Sequence, residues 1–367
     1  MDKIIITSPK LDDPNLSLIK DFFRTEFPPL AIGDTESLVT LIASKLIGSR
    51  NYRLTGAPSI ESQAAIRDVI RINIENGTPI PMLVPSGPKK PVEGESIDIT
   101  ELSALRVLAC VQRQIQEVYP AGLDIRIRME DATGYYLEGT STEVVQSIDK
   151  YINDFSKLIR ILGYDNFITP IRETTLVDLI ELAAEADTLQ KLFDKYILES
   201  EGLPIDEWEN LQSYIDLVIV GWKGIIPPEM REYYHHRYRI LFPDMSTLER
   251  VEAISKYFSS TLSRRRLNFT AVDPKWGGKF IVISFTPPVL GEPIGLVSTR
   301  IHYRTVPMSH TKKHQPYWRA KGYLKLNGDA RMSIATWNEK LDLTPFEVVL
   351  RKGSDEVTIK ADYMIVE

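Results

Sequence analysis

Between Gly77 and Glu138 the spacing of apolar residues changes twice, and this stretch constrains the fold more than any other. Pro79–Pro85 carries Ile80, Met82, Leu83 and Val84 in one short run, which predicts a buried strand that its prolines keep short. A Ser86-Gly87-Pro88-Lys89-Lys90 loop follows. From Asp98 to Tyr119, Ile99, Leu102, Leu105, Leu108, Ala109, Ile115 and Val118 recur at helical spacing. Asp98 and Glu101 fit the N-cap and N3 positions of a capping box, and Pro120 and Gly122 stop the helix. Asp124–Met129 then alternates polar and apolar residues, as a strand with one wetter face does. Strand, basic loop, helix and strand form one α/β unit. Ligands of such units sit beyond the carboxyl ends of the strands.

The flanking sequence extends this reading. Residues 1–60 look mixed and partly irregular, with helices predicted over Leu16–Phe23 and Ser37–Leu46, and further helices are predicted over Ile60–Glu75 and Thr142–Leu162. Leu176–Asp216 reads as two or three further helices, acidic outside and apolar inside. The balance changes near Gly221. A loop leads into the basic-aromatic run Arg231–Arg239 and a helix over Ser246–Ser263 that ends in Arg264-Arg265-Arg266. From Phe280 onward strands dominate: Phe280–Phe285, Gly322–Leu326, Ala330–Trp337, Phe346–Leu350 and Val357–Ile365. Asn327-Gly328-Asp329 and Lys352-Gly353-Ser354-Asp355 are hairpin signals. The expected fold is α/β, a Rossmann-like core with inserted helices and a strand-rich C-terminal part. The expected division places the α/β core and helical region in residues 1–220. Residues 221–367 then supply a helix and antiparallel strands that complete an active-site cleft.

Composition removes several function classes. A net charge of −6 argues against a general nucleic-acid coat, which needs a basic surface. The single cysteine, Cys110, rules out an intrachain disulfide framework or a multi-cysteine metal site. No apolar run approaches the roughly 18–20 residues of a membrane helix. The first residues lack the apolar core and cleavage site of a signal peptide, so a cytoplasmic location is expected.

Several groups of residues could carry chemistry. Lys89 and Lys90, just past the first strand, suit a phosphate or carboxylate, or are a solvated loop pair. Asp98 and Glu101 are accounted for by helix capping, with catalysis as the alternative. Glu130 and Asp131 follow the second strand; they could orient an amine or sugar hydroxyls, or form a turn. There is no P-loop, no HExxH and no GxSxG. His310 and His314 have metal-pair spacing, but no nearby carboxylate completes a site, and no metal is expected. Arg300–Lys325 interleaves Arg300, Arg304, Lys312, Lys313, Arg319, Lys321 and Lys325 with Tyr303, Tyr317, Trp318 and Tyr323. That pattern fits a solvated basic face, a pocket for a small anion, or stacking on single-stranded nucleic acid. The acidic overall charge favours the pocket.

The order of these pieces resembles the isocyanide synthase family, also called the pyoverdine/dityrosine biosynthesis family. The resemblance rests on Pro88-Lys89-Lys90, Asp98-Ile-Thr-Glu101 with Leu102 to Leu108, Tyr119-Pro120-Ala-Gly122 and Arg128-Met-Glu-Asp131. It continues through His236-Arg237-Tyr-Arg-Ile-Leu-Phe242, Ser284-Phe-Thr-Pro287 and Pro316-Tyr-Trp318, and covers roughly residues 65–335. Thr286 stands where the family usually has a histidine, Arg319 stands close to a second, and Ala132 replaces a glycine. The resemblance implies condensation of an amino-acid amine with a sugar phosphate such as ribulose 5-phosphate, giving an isonitrile or related carbon–nitrogen product. It implies no cofactor, and a downstream oxygenase in the same pathway. Lys89, Lys90, Glu101 and Asp131 are then the candidate catalytic residues. Arg264, Thr286, Arg304 and Arg319 are the candidate substrate-binding residues. The alternative readings are a metabolite-binding protein that keeps the pocket without the chemistry, and a single-stranded nucleic-acid-binding protein.

Overall fold

In a computed structural model of the chain, the described residues are 3–7, 12–26, 37–48, 58, 60–87, 90, 96–129, 131, 142–172, 280–285, 299, 301–304, 321–335 and 341–366. The helices expected over Leu176–Asp216 and Ser246–Ser263 lie outside them. The strands are β1 (Lys3–Thr7), β2 (Ile80–Ser86), β3 (Leu123–Met129), β4 (Ile168–Arg172), β5 (Ile281–Ser284), β6 (Ile301–His302), β7 (Lys321–Leu326), β8 (Ala330–Ala335), β9 (Thr344–Lys352) and β10 (Asp355–Ile365). The helices are α1 (Asp13–Arg24), α2 (Leu38–Gly48), α3 (Ile60–Asn76), α4 (Ile99–Gln116) and α5 (Thr142–Leu162).

The first sheet has the order β4-β3-β2-β5-β6, and every neighbouring pair is parallel. Helix α4 crosses from β2 to β3, and α5 from β3 to β4. Numbered by appearance within this sheet, the strands run third, second, first, fourth, fifth. That is the order of a doubly wound Rossmann-type sheet, and the fold is α/β as the sequence leads one to expect. The direction of strand addition reverses between β2 and β5, where Met82 lies opposite Ile281 and Leu83 opposite Val282.

The second sheet has the order β1-β9-β10-β7-β8. Its hairpins fall at the two predicted turns, β7–β8 around Gly328 and β9–β10 around Gly353, both glycines with positive φ. Two features depart from the sequence reading. The C-terminal strands are not all antiparallel, because β10 runs parallel to β7. The N-terminal segment, read as helices within mixed and partly irregular chain, also contains a strand, because Lys3–Thr7 forms the edge strand β1, antiparallel to β9. Each sheet also takes strands from both sides of residue 220: β5 and β6 complete the first, and β1 completes the second.

Helix α4 lies between the sheets. All of its 18 residues except Arg113 and Gln116 are buried, the pattern of a helix with neighbours on every side. Its apolar residues share one core with Ile80, Val84 and Ile125 of the first sheet and Leu324, Val348 and Ile359 of the second. Several of the buried polar side chains on α4 are compensated by hydrogen bonds. Arg106 donates to the carbonyl oxygens of Phe22 and Phe23 at the end of α1, at 2.7 and 2.6 Å. Gln112 accepts from Leu123 N at 2.8 Å and so anchors the start of β3. Glu101 enters the cluster described below. Gln114 places its Nε2 3.4 Å from Cys110 Sγ. Helix α5 turns Ile148, Tyr151, Ile152, Phe155, Leu158 and Ile159 inward and clamps to β10 through Arg160, which donates twice to Asp355 at 2.7 and 2.9 Å.

Candidate functional site

The carboxyl ends of the parallel strands gather the residues with chemical potential. β2 ends on Ser86 and leads to Lys90. β3 leads to Asp131, β4 ends on Arg172, β5 ends on Ser284, and β6 leads to Arg304. The shared polarity of the strands brings these positions to one edge of the sheet.

Lys90 is the centre of a buried cluster. Only 3% of its surface is exposed. Its Nζ donates to Thr100 Oγ1 at 2.7 Å and to Glu101 Oε1 and Oε2 at 2.9 and 2.8 Å, and lies 3.0 Å from Asp98 Oδ1. The predicted capping box is present. Asp98 Oδ1 accepts from Thr100 N at 2.6 Å, and Glu101 Oε2 accepts from Asp98 N at 2.8 Å. The same carboxylates therefore cap the helix and hold the ammonium. Tyr151, from α5, donates to Glu101 Oε1 at 2.7 Å, and Gly322 N, from β7, donates to Asp98 Oδ2 at 3.3 Å. The cluster thus ties the β2 loop, α4, α5 and the second sheet together.

Its electrostatics follow from burial and charge count. Burial pushes the Glu101 carboxyl up to about 7, with the Asp98 charge adding to the rise and the Lys90 charge opposing it. For Lys90, burial pulls down, but the Asp98 and Glu101 charges outweigh it and hold the ammonium above its ordinary value. Lys90 is therefore a charged, fully engaged group rather than a free amine, and Glu101 titrates near neutrality.

Asp131 follows the end of β3. It is fully buried, and its Oδ2 is 3.6 Å from Arg172 Nη1, a guanidinium that also bonds Asp149. Arg304 is half-buried just past β6. Beside the cluster, a cavity of about 430 Å³ opens between Ser96 and Asp98 on one side and Lys321, Gly322, Phe346 and Asp362 of the second sheet on the other.

Of the residues singled out in the sequence, Lys90 and Glu101 are in contact, and Asp131 and Arg304 stand at the same sheet edge. Lys89, Arg264, Thr286, Arg319, His310 and His314 lie outside the described residues. Sequence reasoning missed Thr100, Tyr151, Arg172 and Ser86 as parts of this edge. The position of Tyr151 on the apolar face of α5 signals burial but not its carboxylate partner. Arg172 had no signal, because Ile168–Arg172 was not read as a strand. Among the described residues, no group of three or more His, Cys, Asp or Glu side chains is placed to hold a metal, and no helix is long and apolar enough to cross a membrane.

No family model matches the chain, and no curated protein matches it. Among solved structures, the fold is similar to that of the PvcA protein from Pseudomonas aeruginosa. The TM-score is 0.51 at 17% identity, over 89% of this chain and 99% of that one. At that identity the likeness concerns the fold.

Proposed function

We propose that this chain is a divergent isocyanide-synthase-like biosynthetic enzyme, joining an amino-acid amine to a sugar phosphate of the ribulose 5-phosphate type. The observation that carries the reading is the ordered resemblance over residues 65–335 combined with a fold similar to PvcA, a protein of the pyoverdine/isocyanide synthase family, along nearly the whole chain. The carboxyl edge of the first sheet supports it. The buried Asp131 and the partly exposed Arg172 supply a charged pair there, and Arg304 a further cation for an anionic substrate. Lys90, as an engaged ammonium, contributes charge and shape to this edge rather than a nucleophile.

That last feature also supports a second reading, a protein that binds the metabolite without converting it. Lys90 and Glu101 satisfy each other, and Thr286 and Arg319 stand where the family has histidines. Incubating the purified protein with ribulose 5-phosphate and each common amino acid, with products followed by mass spectrometry, separates the two. The enzyme reading expects an isonitrile or formylated product from at least one amino acid. Binding of ribulose 5-phosphate with no turnover by any of them favours the second reading, and no binding removes both. An Asp131→Asn variant is expected to lose at least tenfold in turnover while keeping its fold, and unchanged turnover would remove Asp131 from the chemistry.

A further inference from the structure

Ser86 is the last residue of β2, at the point where the strand order of the first sheet reverses. It is fully buried, and among the described residues nothing hydrogen-bonds its Oγ. Its register along the strand is that of Ile80, Met82 and Val84, all in the main core, so an aliphatic side chain would continue the row at no polar cost. A buried hydroxyl left without a partner costs folding free energy, which makes its presence at this place informative. In open α/β sheets the reversal of strand order is where ligands enter, outside the carboxyl ends of the strands. The position and the orphaned hydroxyl are independent observations, and they converge.

We propose that Ser86 Oγ is a ligand-binding group that hydrogen-bonds an uncharged oxygen, a hydroxyl or a carbonyl, of a small sugar-like molecule. The charge of the neighbouring loop and helix start selects an uncharged oxygen over a phosphate. Asp98 and Glu101 open α4, and the only described cation in their cluster, Lys90, is already shared between them. A helix start occupied by two acidic side chains does not attract a dianion. The proposal rests on the reading above insofar as the sugar is ribulose 5-phosphate. It then assigns Ser86 to the ketose oxygens and leaves the phosphate to cations elsewhere on the edge.

The test compares the wild-type protein with Ser86→Ala by thermal unfolding and by calorimetric titration with ribulose 5-phosphate, ribulose, ribose 5-phosphate and inorganic phosphate. The alanine variant is expected to be at least as stable as the wild type, because no protein hydrogen bond is lost. It should bind ribulose 5-phosphate about five- to tenfold more weakly, with phosphate affinity unchanged. A less stable or unfolded variant would show that the hydroxyl has a protein partner and would overturn the proposal. So would unchanged sugar affinity, or an equal loss for inorganic phosphate. If the wild type ignores ribulose 5-phosphate but binds ribulose or ribose 5-phosphate, and Ser86→Ala weakens that binding, the ribulose 5-phosphate reading fails and Ser86 stands. If the wild type binds none of the sugars, both fall.

Discussion

Lys90 shows how a single side chain can be costly to bury and costly to remove. Replacing it with methionine leaves the Asp98 and Glu101 carboxylates in a dry site without their cation. Breaking such a pair from one side costs about 3–5 kcal/mol. The loss should depend on pH. In the wild type Glu101 has a folded value of about 7, above its ordinary 4.5, so its contribution to stability is fully present below 4.5 and is lost as pH rises through 7. Lys90 is raised as well, so its contribution is present throughout the range below 10.5 and is lost only above that. Lys90→Met should therefore be tolerated best near pH 5, where a protonated Glu101 needs no cation, and worst near pH 8. Urea unfolding at the two pH values measures this. An equal loss at both would mean that Glu101 does not titrate in the folded protein. The variant Lys90→Met/Glu101→Gln, which removes both charges of the closest pair, should recover much of the loss at pH 8.

Two glycines make the corresponding point for elements, because they are needed for different reasons. A Cβ on Gly322 would lie 2.8 Å from both Ile99 Cγ1 and Thr100 Cγ2, which are fully buried and cannot swing away. Gly322 is thus the contact that lets β7 lie against the start of α4. Gly322→Ala should cost about 1–3 kcal/mol through overpacking and should also loosen the Gly322 N to Asp98 bond. Gly353 has nothing within 4 Å of such a Cβ but has a φ of +57, so Gly353→Ala should cost only about 1 kcal/mol, from backbone strain in the hairpin. Melting of the two variants side by side checks the order, and a reversed order would place the second sheet differently on α4. The same elements explain what the sequence could reveal. The capping box of α4 and both hairpins were legible because their determinants lie within a few residues of each other. The strand β1 was not, since its partner β9 pairs Lys3 with Arg351, from the opposite end of the chain. Nor was the pairing of Lys90 with Glu101. A lysine in a proline-flanked loop and a glutamate at N3 each have a sufficient local explanation, and only the packing of α5 and β7 around them makes the pair buried. The buried polar residues of α4 look like a solvated face for the same reason.

At the scale of the molecule, the carboxyl edge exists only when distant parts of the chain meet. β2 borders β5, and β1 borders β9, so each sheet is closed by strands that come from far along the sequence. Residues 1–220 on their own would leave the β5-facing edge of β2, with Met82 and Leu83, unpaired and would leave β1 without a partner. The shared core around α4 would lose Leu324, Val348 and Ile359 from one side, exposing residues on that side of the helix. Expressed alone, fragment 1–220 should therefore aggregate or lack a cooperative thermal transition, and so should 221–367. Expressed together, the two should copurify at equal stoichiometry and melt in one transition, because the missing strands are then supplied in trans. A cooperatively unfolding, monomeric 1–220 fragment would contradict this and would make the first sheet an independent unit. If reassembly occurs, the reconstituted pair should regain the ribulose 5-phosphate binding that neither fragment has. The edge formed by Ser86, Asp131 and Arg172 from one fragment and by Ser284 and Arg304 from the other needs both.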